Sequence, residues 1–161
     1  QLAVFDRGTV VVIAQQEAPG YWGLSIRVGS HISLFDTGSG HVLLAFRPQE
    51  EREMMIAEAA RSVEQARQPR DFFQRLDEVR DRGYETMASL QTVGVHNLSA
   101  PVLGSDGRAI AALTVPYIGL VNRPSAPDKE QTIDMLLSAT GNLSRLAGSD
   151  VISNPRGGRP A

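Results

Sequence analysis

Asn97-Leu-Ser-Ala-Pro-Val-Leu103, Gly104-Ser-Asp-Gly107 and Arg108-Ala-Ile-Ala-Ala-Leu-Thr-Val-Pro-Tyr117 follow one another without interruption. The outer two runs are apolar and β-favouring. The middle one is a turn sequence, in which glycine supplies backbone freedom and Ser and Asp offer local hydrogen bonds. The segment predicts two strands joined by a turn. Pro101 cannot donate to a ladder, so its strand is expected to be bulged or to lie at an edge.

Working outward, Leu2 to Phe5 and Thr9 to Gln16 read as a hairpin around a three-residue loop, Asp6-Arg7-Gly8. Pro19-Gly20 punctuates it, and Trp22 to Val28, with Leu24, Ile26 and Val28 alternating, is expected to be a third strand. Tyr84 to Met87 is a further extended stretch. The helices fall between and after the strands. One spans Gly38 to about Phe46, with Asp36 or Thr37 as its cap. Another opens at Pro48, carries Met54, Met55 and Ile56, and fades through Ala59 and Ala60. After Pro69, residues Phe72, Phe73, Leu76 and Val79 share one face of a third helix, which Gly83 stops. In the last, Ser125-Ala-Pro-Asp128 forms a near capping box ahead of Ile133, Leu136, Leu137, Leu143 and Leu146, with Gly148 at the end. Residues 149–161 have nothing to bury and are expected to be disordered. Strands, then helices, then strands, then a helix is not a βαβ alternation. The expectation is an α+β domain with a largely antiparallel sheet.

The chain has 161 residues, one domain's worth, with 16 basic and 18 acidic side chains for a net charge of −2. That balance excludes a nucleic-acid binder acting through bulk positive charge. Cysteine is absent, which excludes disulfide frameworks, CxxC redox chemistry and cysteine zinc sites. No apolar run reaches transmembrane length and no signal segment opens the chain, so no membrane partner and a cytoplasmic location are expected. The chain begins at Gln1 rather than Met and reads as a piece of a longer protein.

Thr37-Gly-Ser-Gly-His41 is the stretch most like a functional motif. It fails as a nucleophile elbow, because Thr37 stands where G-x-S-x-G needs its first glycine. It fails as a dinucleotide loop, because Leu43 occupies the third glycine position. What survives is a turn whose Gly38 and Ser39 amides open a helix and favour negative charge, such as a carboxylate. The plainer alternative is a solvated or self-capped helix end. His31, His41 and His96 lack metal-ligand spacing and read as surface or satisfied imidazoles, so no metal is expected. Glu50-Glu51 and Asp77-Glu78 read as solvated faces. Phe72 and Phe73 read as core. Tyr21 and Trp22 fit either core or a pocket rim. No catalytic constellation emerges, and no enzymatic activity or cofactor is expected.

Taken together, four segments resemble the effector-binding domain of IclR-type transcription regulators. They are Val28-Gly29 with Leu34-Phe-Asp-Thr-Gly-Ser-Gly-His-Val-Leu-Leu-Ala45; Arg80-Asp-Arg-Gly83-Tyr84; Val93-Gly-Val-His-Asn-Leu-Ser-Ala-Pro-Val102; and Gly107-Arg-Ala-Ile-Ala-Ala-Leu-Thr-Val115, followed by Arg123 and the long final helix. The resemblance runs from about Leu2 to Gly148. It implies a GAF-like α+β domain over residues 1–148, with a curved antiparallel sheet of about six strands flanked by helices. It implies a homodimer or homotetramer, and contact with DNA only through an N-terminal winged helix-turn-helix absent from this chain.

The resemblance also implies a small-molecule effector pocket lined by Ile32, Gly38, Ser39, Met87, Val95, Asn97 and Thr114. The sequence departs from the family pattern at Phe35, Asp36, Ser89-Leu90-Gln91, Asn97 and Pro116. Ser39 and Asn97 can donate hydrogen bonds to an acid, whereas Asp36 would repel one or occupy the amides. Phe35, Met87 and Val95 tilt the expectation towards a small aromatic or hydrophobic acid. A stand-alone GAF-like sensor and a small enzyme using the Ser39 region are the alternatives.

Overall fold

The computed structural model describes residues 1–17, 24, 26–62, 70–119 and 126–150. Strands β1 (Leu2–Asp6), β2 (Thr9–Ala14) and β3 (His31–Ile32) come first. Helices α1 (Gly38–Ala45), α2 (Gln49–Ser62) and α3 (Phe72–Arg82) follow. Strands β4 (Glu85–Ala88), β5 (His96–Leu103) and β6 (Ala109–Tyr117) precede the last helix, α4 (Lys129–Leu146). The six strands form one antiparallel sheet in the order β3-β2-β1-β6-β5-β4. The α+β class and the six-stranded curled antiparallel sheet agree with the sequence reading.

The first hairpin is tighter than expected. Asp6 pairs with Thr9, leaving the two-residue loop Arg7-Gly8 with φ of 47° and 79°. Positive φ at both loop positions matches the right-handed twist of the flanking strands. Among the described residues of the expected third strand, Leu24, Ile26, Arg27 and Val28 carry no strand pairing, and the edge position is taken by His31–Ile32. Tyr21, Trp22 and Pro19-Gly20 lie outside the described residues, as do Pro69, Arg123, Ser125 and residues 151–161 of the expected tail. Pro101 meets its expectation only locally. β5 is an inner strand, but Pro101 sits beyond its pairing with β4, where among the described residues only β6 lies beside it, and the bulge one residue later places its extra residue, Ile110, on β6.

Alternation along β5 assigns the two faces of the sheet. Leu98 and Ala100 point to Ile133 and Leu136 of α4. Ser99 and Leu103 point the other way, towards the layer of α1, α2 and α3. That layer packs Val42, Leu43, Leu44 and Ala45 of α1, Met55, Ile56 and Ala59 of α2, and Phe72, Leu76 and Val79 of α3 against Ala3, Val10, Val12 and Ala112. The sheet is thus the middle of three layers, and α1 lies buried against it.

Burial corrects several faces. Phe73 is 49% exposed and meets the Phe72 ring at a steep angle, because positions 72, 76 and 79, not 73, line the inner face of α3. Met54 likewise faces outward while Met55 and Ile56 turn in. In α4 the buried stripe is Ile133, Leu136, Thr140 and Ser144, and Leu146 is exposed. The α4 cap is Asp128 itself, whose carboxylate accepts from the Gln131 amide while Gln131 reaches back to the Asp128 amide. Ser144 ties α4 to the sheet, since its Oγ accepts from the Leu103 amide at 2.8 Å and donates to the Thr140 carbonyl at 2.7 Å. Glu51 is not simply solvated. It receives Arg47 and Arg108, joining α2 to the start of β6.

α1 has no polar face: all eight of its residues are buried. A Cβ on Gly40 would overlap the Leu34 carbonyl, because the chain before the helix folds directly onto it. Gly40→Ala is therefore expected to destabilise the protein by about 3 kcal/mol, an overpacking cost against rigid backbone. Gly119→Ala, where the added methyl meets open space, should change stability by less than about 0.5 kcal/mol. Urea unfolding of the two variants checks this.

Candidate functional site

The chain entering α1 is tied to itself. Ser33 Oγ accepts from the Phe35 and Asp36 amides and donates to the Asp36 carboxylate. Thr37 is the cap, accepting from the Gly40 amide at 3.1 Å and donating to the Ser33 carbonyl at 2.6 Å. Of the two candidate caps, Thr37 fills the role and Asp36 is held by Ser33. Neither takes the Gly38 or Ser39 amide. These two stand at the positive end of the helix dipole.

Below this turn lies a buried ionic cluster. Glu85, at the start of β4, has no exposed surface. Arg75 of α3 grips it with two guanidinium bonds, at 2.9 and 2.6 Å. His41 Nδ1 stands 2.8 Å from Glu85 Oε2, and His41 Nε2 stands 2.7 Å from the Phe35 carbonyl. Both neighbours are acceptors, so the ring satisfies both contacts only by donating from both nitrogens. The Thr86 amide and Arg82 complete the shell around the carboxylate. His41 is thus a satisfied imidazole, as the sequence reading has it, yet it sits in the core and binds α1 to β4.

Burial alone would raise the Glu85 pKa, but the hydrogen bonds from His41 and Arg75, and their charge, outweigh it and bring it from 4.5 to about 2. A depressed carboxylate stabilises the fold above its ordinary pKa and loses that stability as pH falls towards the folded value. Urea unfolding should therefore show about 3 kcal/mol lost between roughly pH 5 and pH 2 from this group. Glu85→Gln should cost about 3 kcal/mol at neutral pH, leaving the buried His41 and the partly exposed Arg75 without their charged partner, and should flatten that acid limb.

A cavity of about 540 Å³ opens between the turn, β3, the ends of β5 and β6, and the loop after β4. Its volume falls in the range of small-molecule sites. Six of the seven residues singled out in sequence border it: Ile32, Gly38, Ser39, Val95, Asn97 and Thr114. Met87 does not. It pairs opposite Asn97 on β4, one strand further from the cavity. Phe35 does not reach the cavity either, because it is buried edge-on against Phe72 in the core. Of the three residues that tilted the ligand towards an apolar body, only Val95 borders the cavity.

The remaining lining is more polar than the sequence reading anticipated. Ser33, Asp36 and Thr37 come from the turn, and Ser89, Gln91 and Thr92 from the loop after β4. Leu24, Ile26, Leu90 and Pro116 add apolar surface, so the lining as a whole is evenly mixed. No lysine or arginine stands among the described lining residues. Ser39 and Thr114 form the floor, 1% and 3% exposed. Ser39 Oγ bonds Thr114 Oγ1 at 2.8 Å, and among the described residues no base pairs with it as a serine nucleophile requires. Ser99 behind the floor and Glu85 below the turn escape a sequence reading. The signal for each is a lone polar residue inside an otherwise β-favouring run.

A curled antiparallel sheet between helical layers, with a polar-floored cavity at the start of a buried helix, defines a GAF-like α+β domain. Residues 1–145 match the family described as the bacterial transcriptional regulator IclR C-terminal domain, and the chain belongs to that family. It is 27% identical over 150 residues to the HTH-type transcriptional regulator KdgR of Dickeya chrysanthemi, covering 91% of this chain and 48% of that protein. The Escherichia coli (strain K12) KdgR is also 27% identical, with 91% of this chain and 56% of the relative covered. The chain spans about half the length of the curated relatives it matches. Among solved structures, Pseudomonas aeruginosa HmgR superposes with a TM-score of 0.72 at 29% identity, over 92% of this chain and 59% of that one. The C-terminal domain of E. coli KdgR superposes with a TM-score of 0.67 at 24% identity, over 91% of this chain and 85% of that one. The KdgR proteins are transcriptional regulators. No helix among the described residues is long and apolar enough to cross a membrane.

Proposed function

We propose that this domain is the ligand-sensing part of a transcription regulator, and that its effector is a small organic acid bound in the cavity without chemical change. The observation that carries the reading is the cavity floor. The Ser39 hydroxyl, Asn97 and the two amides that open α1 surround one end of a space large enough for a metabolite. A carboxylate there receives several neutral donors rather than a cationic side chain. Asp36 also borders the cavity, where its charge opposes an acid; it is exposed to solvent, which screens that charge, and its carboxylate is engaged by Ser33. The lining is mixed, with Leu24, Ile26, Ile32 and Leu90 beside Ser33, Thr37 and Gln91, and suits an acid with either a hydroxylated or an apolar body. Gluconate-like hydroxy acids therefore join benzoate-like acids as the classes to test.

A thermal-shift screen of such acids is expected to find stabilisers, since ligand at 100 times its Kd adds about 2.7 kcal/mol. Ser39→Ala combined with Asn97→Ala should abolish the shift. Full retention of the shift in that double variant, with neutral analogues stabilising equally, contradicts the acid.

The regulator's contact with DNA belongs, on this proposal, to an N-terminal winged helix-turn-helix outside this chain. The net charge of −2 gives residues 1–161 no excess of positive charge for phosphates. A gel shift with operator fragments at physiological salt should show no sequence-specific retention by these residues. Homodimer or homotetramer assembly, a cytoplasmic location and the absence of enzymatic activity complete the proposal and rest on the family. Light scattering at micromolar concentration tests the assembly, and a monomeric mass throughout counts against it.

A further inference from the structure

Among its described lining residues the cavity carries one acidic side chain, Asp36, and no lysine or arginine. Asp36 Oδ2 accepts from Ser33 Oγ at 3.0 Å. Its other oxygen, Oδ1, accepts from no group among the described residues, and no cationic side chain there pairs with the carboxylate. Two further groups of the lining can carry positive charge. His31, on β3, is exposed. The Gln1 ammonium is bonded to the Thr114 carbonyl at 2.9 Å, and burial lowers its pKa. Neither forms an ion pair with Asp36. The turn thus presents a carboxylate with an open oxygen, and two residues further on the Gly38 and Ser39 amides. Two residues span at most about 7 Å, so a ligand that meets both features carries a donor and an acceptor close together.

We propose that the effector is an α-amino acid, with Asp36 as the residue that receives its ammonium group. The inference rests on the acid reading above and adds the ligand's second polar group and the side chain that selects it. A plain carboxylate suits the amides and is opposed by Asp36. An α-amino acid carries its ammonium on the carbon beside the carboxylate and brings the charge that Asp36 lacks. A hydroxyl in that place also donates to Asp36, but it leaves the carboxylate of the protein unbalanced against that of the ligand. Leu24, Ile26, Ile32 and Leu90 then face the amino acid's side chain. The selection is several-fold rather than absolute, because Asp36 is open to solvent.

The test is a calorimetric titration of two matched trios against the unaltered domain and Asp36→Asn. One trio is leucine, 2-hydroxy-4-methylpentanoate and 4-methylpentanoate. The other is phenylalanine, 2-hydroxy-3-phenylpropanoate and 3-phenylpropanoate. At about pH 8 an ordinary imidazole is neutral and a buried terminal amine largely so, whereas free amino acids remain zwitterions. In at least one trio the amino acid is expected to bind the unaltered domain about fivefold more tightly than the plain acid, the worth of an ion pair at an exposed carboxylate. In Asp36→Asn the amino acid should bind about twofold more weakly and the plain acid about twofold more tightly, which abolishes the preference. Opposite changes from one substitution separate a charge contact from a structural role and show the variant to be folded. A hydroxy or plain acid that binds the unaltered domain as tightly as the amino acid overturns the inference. So do changes of the same size and sign for all three members of a trio in Asp36→Asn. Binding of gluconate or benzoate with no binding in either trio also overturns it, and leaves the acid reading standing. If gluconate, benzoate and all six ligands fail to bind, the acid reading falls and the inference with it.

Discussion

A carboxylate with no surface of its own, Glu85, is the point on which α1, α3 and β4 meet. Arg75 reaches it from α3, His41 from α1, and the Thr86 amide from its own strand. Taking such charges from water is expensive, and the cost is offset only when geometry and hydrogen bonding are both complete. Here both carboxylate oxygens are bonded and both ring nitrogens face acceptors. The cluster defines where the helix must lie. An apolar contact tolerates sliding, whereas the bidentate arginine and the two-sided histidine hold one position.

The cavity depends on that placement. The His41 contact to the Phe35 carbonyl pins the chain entering α1, and Ser33 and Thr37 knot the same turn from its other side. Gly38 and Ser39 thereby arrive against β5 and β6 with Ser39 Oγ in reach of Thr114. Close approach also requires residues 38 and 40 to lack side chains, since Ser99 and the Leu34 backbone occupy the space a Cβ would take. The apparent phosphate-loop glycines thus serve packing: they let a wholly buried helix sit flush on a sheet. The small and hydroxyl-bearing residues Thr37, Gly38 and Ser39 border the cavity because the helix behind them cannot move away.

Much of this order is visible in the sequence. Gly104-Ser-Asp-Gly107 between two apolar runs fixes the β5–β6 pair, and Gly83 takes the left-handed conformation that stops α3. The antiparallel character of the sheet follows from such turns. The errors have physical causes. The Arg7-Gly8 turn loses a residue because a non-glycine there adopts positive φ, which composition does not announce. β3 is so short that its pairing follows the neighbouring ladder rather than any alternation of its own. Phe73 and Leu146 are apolar yet lie off the buried stripes, where helix geometry rather than hydrophobicity decides. In the site, six residues carried over from a family resemblance border one cavity, because that resemblance encodes spatial order. The Glu85 cluster is hidden because its members come from three elements and pair across the fold. Ser89-Leu90-Gln91 reads as a departure from the family pattern, and together with Thr92 it lines the cavity.

The central claim is that the turn opening α1 receives an acid at the floor of the cavity. Backbone amide resonances of Gly38 and Ser39 report on it directly, because a carboxylate accepting from them shifts both proton signals downfield in a saturable way. A two-dimensional amide titration with gluconate and with benzoate is the measurement. The account predicts that an acid which binds moves Gly38, Ser39 and the Asn97 side-chain amide together, with one Kd. Saturable binding that leaves those three signals in place, and moves resonances of α4 or the α2 surface instead, would contradict it.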